Sequence, residues 1–257
     1  NCKYYGQETS DWNVVGILNL LINGKENYVL EKEDSVSRWK GEDNYDYIIS
    51  TPPFKVKCNS KYHFCDIDFL IHASKDAKEK AIGIFRSGIC FSKNSLISKS
   101  IVELVEKDWV EYVISLPQGI FSTTGIQTVM LVINKSKNIK GRVRFVDASD
   151  CLKKDERSKT LCINSVWNLV TCSMSKSDYV IDVNISDIKD NGYVLSPEFY
   201  LSDDNIEVPQ GFEIHTISEY LSPIKTNIFN GEAGKVFSPS KILDRVNSRT
   251  IYVSDLE

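Results

Sequence analysis

The amino-acid sequence predicts an α/β fold, in which strands and helices alternate before a closing set of consecutive strands. Helical stripes and short apolar runs alternate from residue 4 to about residue 107. Three strand-like runs follow between residues 110 and 149, and the last two have no clear helix between them. We therefore expect a mainly parallel sheet that is completed by antiparallel strands.

The segments before residue 51 predict one helix and two strands. The stretch WNVVGILNLLING has apolar residues at helical spacing and ends at Gly24, which predicts a helix. NYVLEKEDSV predicts a short strand that runs into an acidic turn. YDYIIS, residues 45–50, has few polar positions, so we expect a central strand that is parallel to its neighbours.

The next segments continue the alternation. DIDFLIHASKDAKEK predicts a helix, and AIGIF predicts the strand that follows it. NSLISKSIVELVEK predicts a second amphipathic helix. VEYVISL, TVMLVIN and RVRFVDAS predict three strands, and NSVWNLVTCSMSKS predicts one short helix beyond the charged connector CLKKDERSK.

The composition, with 42% hydrophobic and 26% charged residues, is ordinary for a globular protein. No apolar run reaches the length of about eighteen residues that a membrane helix requires. The chain starts without a methionine or a signal-peptide layout, so we expect it to begin within a longer protein of the bacterial cytoplasm. The net charge of -4 means that any DNA binding must use a local basic face or a second module.

The seven cysteines include no CxxC pair. Cys58 and Cys65 lie near His63 in the sequence, but their spacing matches no zinc pattern. We therefore expect reduced cysteines and no metal site.

The YDYIIS strand ends in Thr51-Pro52-Pro53-Phe54. Two prolines cannot donate backbone hydrogen bonds, so they end the strand and stiffen the loop. The Thr51 hydroxyl, the Pro52 carbonyl and the Phe54 ring are then displayed at a strand's carboxyl end, where open α/β sheets bind ligands. Two rigid acceptors beside an aromatic ring suit a planar ring that carries an amino group, although such loops also simply turn a chain.

With its flanking segments, this motif resembles the amino-group DNA methyltransferases, specifically the modification subunits of type I restriction systems and their fused relatives. Their strand ends in Asn-Pro-Pro-Phe or Asn-Pro-Pro-Tyr. YGQE, residues 5–8, resembles the acidic strand end that holds the ribose hydroxyls of S-adenosylmethionine, which implies Glu8 as a cofactor contact. ILNLLINGKENYVLEKEDSV resembles the segment whose acidic residue, here Asp34, lies near the cofactor's adenine.

Two later segments extend the resemblance in the family's order, so that it covers residues 4–150. DIDFLIHASKDAKEKAIGIFRSGICF resembles the helix and strand after the catalytic loop. LPQGIFSTTGIQTVMLVINK resembles the strand pair that helps to form the target-base pocket, which adds Phe121 and Thr124 as weaker candidates.

The resemblance implies a Rossmann-like sheet of the class I S-adenosylmethionine-dependent methyltransferases. It also implies methyl transfer to N6 of an adenine that is flipped out of double-stranded DNA, with Thr51, Pro52, Pro53 and Phe54 as the catalytic residues. The implied partners are specificity subunits, and restriction subunits or fused domains. The family's glycine-rich turn lies upstream of YGQE, so we expect a sheet that is incomplete at its N-terminus and weakened binding of S-adenosylmethionine.

Thr51 departs from the Asn, Asp or Ser of the family, and we expect weakened catalysis. The alternatives are a non-catalytic methylase-like scaffold that positions a recognition domain or partner subunits, and a methyltransferase that acts on a protein amide.

The predicted organisation has three parts. Residues 1–150 form a partial methyltransferase-like catalytic domain, and residues 151–202 form a connector of helix and strand. Residues 192–201, GYVLSPEFYL, resemble the linker of fused enzymes. Residues 203–257 resemble the opening of a target recognition domain, so we expect the start of a partial, β-rich target-recognition-like module; an ordinary β-rich extension is the alternative.

Overall fold

The computed structural model of the chain describes residues 2–39, 45–54, 65–91, 95–121, 124–154 and 159–202. All of them belong to one compact unit, Asn1–Asn205. The predicted recognition-like module, residues 203–257, lies outside the described residues, as do Cys58 and His63. The division of the chain at residues 150 and 202 stays a prediction.

The described residues form ten strands, six α-helices and one 3-10 helix. In chain order these are β1 (Tyr4–Gln7), α1 (Trp12–Ile22), β2 (Tyr28–Glu31), β3 (Tyr45–Ser50), α2 (Cys65–Asp76), β4 (Ala77–Arg86), the 3-10 helix (Ser87–Phe91), α3 (Ser95–Glu106), β5 (Val110–Leu116), β6 (Thr128–Asn134), β7 (Arg142–Asp147), β8 (Leu152–Lys154), β9 (Lys159–Leu161), α4 (Ile163–Val170), β10 (Val180–Asn184), α5 (Ile185–Asp190) and α6 (Pro197–Leu201).

The main sheet has six strands in the order β10-β7-β5-β6-β4-β3. The pairs β3–β4 and β5–β7 are parallel, whereas β4–β6, β5–β6 and β7–β10 are antiparallel. β1 and β2 form a separate parallel pair, and β8 and β9 form an antiparallel hairpin. The α/β fold is therefore confirmed, but the main sheet is mixed rather than mainly parallel.

β3 runs parallel to its neighbour, as predicted, but it is not central. Among the described strands only β4 pairs with it, so β3 lies at one end of the main sheet. Its Tyr47 and Ile49 side chains are 58% and 77% exposed. The apolar run YDYIIS predicted burial on both sides, which the described residues do not provide.

The core lies on both faces of the main sheet. Successive residues of a strand point to opposite faces, and β5 illustrates this because Val113 packs with the larger cluster and Ile114 with the smaller one. The larger cluster includes residues of α2, α3 and α5, and the smaller one is covered by α4. The domain thus has three layers, with helices on both faces of the sheet.

Two helices differ from their predictions. α1 forms where predicted, but its apolar stripe is largely exposed, with Leu18 at 52% and Ile22 at 84%. α2 ends at Asp76 rather than continuing to Lys80, and β4 begins at once. Lys80 instead pairs with Asn134 of β6 and forms a 2.8 Å ion pair with Glu111. Strand pairing therefore overrides the helix propensity of this segment.

The stretch predicted as a connector supplies the last strand of the main sheet. β10 pairs with β7 over five residue pairs. Arg144 of β7 donates two hydrogen bonds, of 2.7 and 2.8 Å, to the Asp182 carboxylate of β10. None of the described helices is both long enough and apolar enough to cross a membrane.

Candidate active site

The Thr51–Phe54 motif follows β3 directly, as the sequence predicts. Thr51 and Pro53 are exposed, Pro52 is buried, and Phe54 is partly buried. Ser50 is paired with Gly83 of β4, so the motif begins at the carboxyl end of the parallel pair. A buried Pro52 anchors the loop while its neighbours remain accessible to a ligand.

A groove of about 310 Å³ connects this motif to the end of β1. One wall is formed by residues of β1 and its carboxyl end, and the other by β3 and the first residues of the motif. Its lining includes Gly6, Gln7, Glu8, Ser50, Thr51 and Pro52. The structure therefore places Glu8 and Thr51 on the same groove, although they are far apart in the sequence.

Glu8 has one carboxylate oxygen in use. Its Oε1 accepts hydrogen bonds from the Ser10 backbone N–H at 3.0 Å and from the Ser10 hydroxyl at 2.8 Å. These two bonds lower the pKa of Glu8 below its ordinary value, so the group is ionised at neutral pH. The Thr9 hydroxyl also donates to Oε1, at 3.4 Å, so these bonds converge on one oxygen and Oε2 is the oxygen that would accept from a ligand's hydroxyl groups.

Asp34 is used within its own turn. Its Oδ2 accepts from the Ser37 hydroxyl at 2.5 Å and its Oδ1 from the Val36 N–H at 2.9 Å. The bond from Ser37, followed by that from Val36, lowers the pKa of Asp34. Its neighbour Ser35 lines the groove, whereas Asp34 is not among the lining residues. Contact between Asp34 and a cofactor stays a prediction.

Three aromatic rings that the sequence analysis did not single out form a cluster beside the groove. The Tyr5 ring stacks on Tyr45 at 5.7 Å between centroids, and the Trp39 ring lies 5.8 Å from Tyr45 and 6.4 Å from Tyr5. The Trp39 indole N–H donates to Asp76 at 2.5 Å. Aromatic residues at the starts of β1 and β3 were the only sequence signal for this wall.

The two predicted parts of a target-base pocket are in contact. The Phe54 ring meets the Phe121 ring edge-on, with centroids 5.5 Å apart and planes at 90°. Phe121 follows β5, and Thr124 N–H donates to its carbonyl at 3.3 Å. The motif after β3 and the connection after β5 therefore lie on the same side of the sheet, where the carboxyl ends of β3, β4 and β5 are.

An ion pair that the sequence analysis missed lies at the same edge. Arg86, the last residue of β4, donates to the Asp66 carboxylate of α2 at 2.9 and 3.0 Å. Asp66 is only 1% exposed, so this pair joins the start of α2 to the carboxyl end of β4. Among the described residues, no cluster of three or more histidine, cysteine, aspartate or glutamate side chains is arranged to hold a metal ion.

Two similar proteins are methylase subunits of type I restriction enzymes. The chain is 23% identical over 270 residues to the type I restriction enzyme MpnII methylase subunit of Mycoplasma pneumoniae, covering 87% of the chain and 48% of that protein. It is 26% identical to the MjaVII methylase subunit of Methanocaldococcus jannaschii, covering 77% of the chain and 40% of that protein. The chain thus spans less than half the length of these two relatives.

A solved structure supports the fold. The type I restriction-modification methyltransferase subunit from Streptococcus thermophilus superposes with a TM-score of 0.68 at 22% identity, covering 76% of this chain and 47% of that one. The sequence pattern of the N-6 DNA methylase family matches residues 1–208, which is most of the chain. The chain therefore belongs to the N-6 DNA methylase family.

Proposed function

We propose that this chain carries catalytic residues of an S-adenosylmethionine-dependent DNA adenine-N6 methyltransferase of a type I restriction-modification system. The observation that carries the proposal is the placement of Thr51–Phe54 between a groove that ends at Glu8 and the ring of Phe121. This arrangement offers one compartment to a cofactor and another to a base. Family membership supports the same chemistry.

The groove fits S-adenosylmethionine in the chemistry of its lining. Glu8 Oε2 would accept from the ribose hydroxyls, and the aromatic cluster offers apolar surface. Two polar atoms of lining residues, Gln7 Oε1 and Ser50 Oγ, are buried without a hydrogen-bond partner among the described residues. Such orphaned atoms cost free energy unless a ligand or water satisfies them. When bound, the cofactor supplies a methyl group that its sulfonium sulfur makes electrophilic.

The chain's own residues would act on the adenine amine. Its lone pair is delocalised into the ring, so the amine is a poor nucleophile. The Thr51 hydroxyl and the Pro52 carbonyl would accept hydrogen bonds from the two amine N–H groups, which draws the nitrogen towards tetrahedral geometry and frees the lone pair. These acceptors would stabilise the positive charge that develops on the nitrogen as it takes the methyl group, and the nitrogen would then release its extra proton to water.

The Phe54 ring would hold the base. A base inside a duplex is out of reach, so it must leave the stack at a cost of a few kcal/mol. Stacking on an aromatic side chain returns about 1–3 kcal/mol. Phe121 contacts Phe54 edge-on and would keep its ring oriented for this contact.

The proposed partners are double-stranded DNA and the specificity and restriction subunits, or fused domains, of such systems. These partners and a cytoplasmic location follow from the proposed reaction. The likeness to the Streptococcus thermophilus methyltransferase subunit supports only the fold, so each proposed partner requires a direct binding measurement.

Transfer of labelled methyl from S-adenosylmethionine to unmodified DNA by the intact gene product tests the proposal. We expect label on adenine N6, and we expect Phe54→Ala to reduce the rate of transfer about 5- to 150-fold, because it removes about 1–3 kcal/mol of stacking. Phe91→Ala, which removes an exposed ring on the 3-10 helix, is the matched control and should keep the rate. Label on another atom, or equal loss in both variants, would contradict the proposal.

A non-catalytic scaffold is the second candidate, and Thr51 is the observation that favours it. The threonine hydroxyl lies about one bond closer to the backbone than an amide oxygen and is also a donor. Absence of label with both the natural chain and Thr51→Asn, together with retained DNA binding, would favour the scaffold.

A further inference from the structure

Glu198, at the start of α6, accepts hydrogen bonds from three side chains. Its Oε1 receives the Ser115 hydroxyl at 2.6 Å and the Gln127 side-chain N–H at 2.8 Å. Its Oε2 receives the Ser196 hydroxyl at 2.6 Å. Ser115 is 1% exposed near the carboxyl end of β5, and Gln127 directly precedes β6. One carboxylate therefore joins α6 to both ends of the β5–β6 connection, described at residues 117–121 and 124–127.

Glu198 is held in its charged form. Burial of part of the carboxylate raises its pKa, but the hydrogen bonds from Ser115, Ser196 and Gln127 together outweigh burial, so the pKa of Glu198 lies below its ordinary value. Hydrogen bonds to an ionised acceptor are about twice as strong as those between neutral groups. This carboxylate is therefore a firm anchor for Gln127 at neutral pH.

A second hydrogen bond fixes Gln127, and the backbone joins it to a hydrogen-bonded turn of the β5–β6 connection that reaches the candidate active site. The Gln127 carbonyl accepts the Ser87 N–H at 3.0 Å. The Ile126 N–H donates to the Thr124 hydroxyl at 3.1 Å, and the Thr124 N–H donates to the Phe121 carbonyl at 3.3 Å. The Phe121 ring then contacts Phe54. Glu198 is thus linked, through Gln127 and Phe121, to the Phe54 ring that would stack on the base.

We propose that Glu198 is a positioning residue of the target-base side of the candidate active site. It fixes Gln127 and, through the turn at Thr124, sets the position of Phe121 against Phe54. Glu198 acts without touching the base or the cofactor. This role rests on the proposed function, because a ring that is held in place matters to rate only if a base stacks there.

Glu106 provides a matched control. This carboxylate at the end of α3 accepts from Lys189 Nζ at 2.7 Å and from the Tyr193 hydroxyl at 2.5 Å. It therefore ties residues of the same C-terminal stretch to the domain, as Glu198 does. It lies just before β5 begins, whereas Ser115 lies near the other end of that strand. Loss of Glu106 should increase the mobility of the C-terminal stretch around Lys189 and Tyr193 but should leave the β5–β6 connection unchanged.

The test compares Glu198→Ala with Glu106→Ala in the full chain. Amide hydrogen exchange, read by mass spectrometry, should accelerate in the peptide that contains Thr124 and Ile126 in Glu198→Ala only. In the intact gene product, kcat for methyl transfer to unmodified DNA should fall about tenfold in Glu198→Ala with an unchanged KM for S-adenosylmethionine, since misplaced groups cost rate rather than cofactor binding.

Equal exchange of that peptide in the two variants would overturn the role of Glu198. If Glu198→Ala does not fold, Gln127→Ala replaces it, because that change removes the same bond while Ser115 and Ser196 keep their acceptor. The double variant Glu198→Gln/Gln127→Glu swaps the two side chains and can reform their hydrogen bond. It should therefore restore the protection of this peptide from hydrogen exchange. If the natural protein transfers no methyl at all, the proposed function fails, and the exchange data alone decide whether Glu198 positions Phe121.

Discussion

Thr51 is central to the proposed chemistry, because the family resemblance implies Asn, Asp or Ser at this strand end, whereas this chain has threonine. Its side chain is exposed beside a buried Pro52, so a longer residue fits without disturbing the core. We expect Thr51→Asn to raise the rate of methyl transfer about tenfold, which corresponds to about 1.4 kcal/mol of transition-state stabilisation. The measurement is single-turnover transfer of labelled methyl at saturating cofactor.

Thr51→Ser is the control for this substitution, because it keeps the short hydroxyl and should leave the rate near its natural value. A fall in rate with Thr51→Asn would show that the threonine hydroxyl is already the better acceptor.

Lys137 gives a prediction about stability rather than catalysis. It is 2% exposed, and its ammonium donates to the carbonyls of Val110 at 2.9 Å and Arg142 at 2.7 Å while it forms an ion pair with Asp108. Lys137→Met removes this donor from the two carbonyls and leaves the Asp108 carboxylate with the Gly141 N–H but without its cation. We expect a loss of about 3–5 kcal/mol in the free energy of unfolding, measured by urea denaturation.

Lys140→Met is the matched control for Lys137→Met, since Lys140 is exposed and its hydrogen bond to the Lys135 carbonyl is long, at 3.4 Å. Its effect should stay within about 0.5 kcal/mol. Similar losses in the two variants would contradict the view that Lys137 is an internal anchor.

Some of these residues could be predicted from the sequence, and others could not. Thr51 and Glu8 directly follow β3 and β1, and the family's motifs single out residues at those places, although the roles of the two residues stay predictions. Glu198 and Lys137 carry no such mark. The bond between Gln127 and Glu198 joins residues 71 positions apart, and only the packing of α6 on the sheet brings them together.

The register of β3 on β4 determines where β3 ends and therefore positions the Thr51–Phe54 motif. Gly83 of β4 pairs with Ser50, and a methyl group there would lie 2.3 Å from the ring of Phe85, which is fully buried, and 3.3 Å from the Ser50 hydroxyl. We expect Gly83→Ala to cost about 1–3 kcal/mol in the free energy of unfolding. Urea denaturation measures this loss.

Gly88→Ala is the control for Gly83→Ala, because a methyl group on Gly88 meets nothing within 4 Å. A tolerated Gly83→Ala, with stability like that of Gly88→Ala, would mean that Phe85 moves aside freely. In that case the pairing of Gly83 with Ser50 would not be required to position the Thr51–Phe54 motif.

α6 gives a prediction about pH. The Tyr200 hydroxyl donates to the Val194 carbonyl at 2.9 Å, and its ring packs 4.5 Å from that of Phe145. Burial, followed by the charge of Asp187, raises the pKa of Tyr200 to about 12. The neutral form is therefore favoured in the folded state, and this stabilisation is fully present below pH 10, where unfolded tyrosine titrates, and is lost as the pH rises through 12.

Tyr200→Phe should accordingly lose about 1 kcal/mol at neutral pH through the missing hydrogen bond. The difference between the two proteins should shrink above pH 10 and change sign before pH 12, since only the tyrosine protein loses stability by ionisation of Tyr200 in the unfolded state. Urea unfolding of both proteins across this range measures it. A difference that stays constant would mean that Tyr200 titrates normally.

Elements of the domain were predictable where their apolar pattern was local. The helical stripe of α3 and the apolar runs of β5 and β6 sit at the predicted places, because burial on the sheet enforces their periods. β10 and α6 were missed. β10 has only five residues, and its identity as a strand depends on β7 and on the bond between Arg144 and Asp182, which lie 38 positions apart.

In the molecule as a whole, residues 180–202 complete the compact unit Asn1–Asn205. β10 covers one side of β7, Leu195 is fully buried, and Glu198 binds the β5–β6 connection. A chain cut after residue 150 would expose the edge of β7 and the ring of Phe145, and an uncovered strand edge invites pairing between molecules. We expect residues 1–150 to aggregate or to unfold without a cooperative transition.

Residues 1–205, in contrast, keep every one of these contacts, and they should unfold in one cooperative transition that calorimetry and light scattering can detect. The comparison also tests the division of the chain at residue 150, because a separate catalytic domain would be indifferent to the loss of residues 151–205. If residues 1–150 remain monomeric and cooperative, β10 and α6 are an addition to the domain, and the anchoring role of Glu198 loses its structural basis. If only the longer piece folds, the stretch that resembles a linker is part of the fold that holds the target-base side of the site in place.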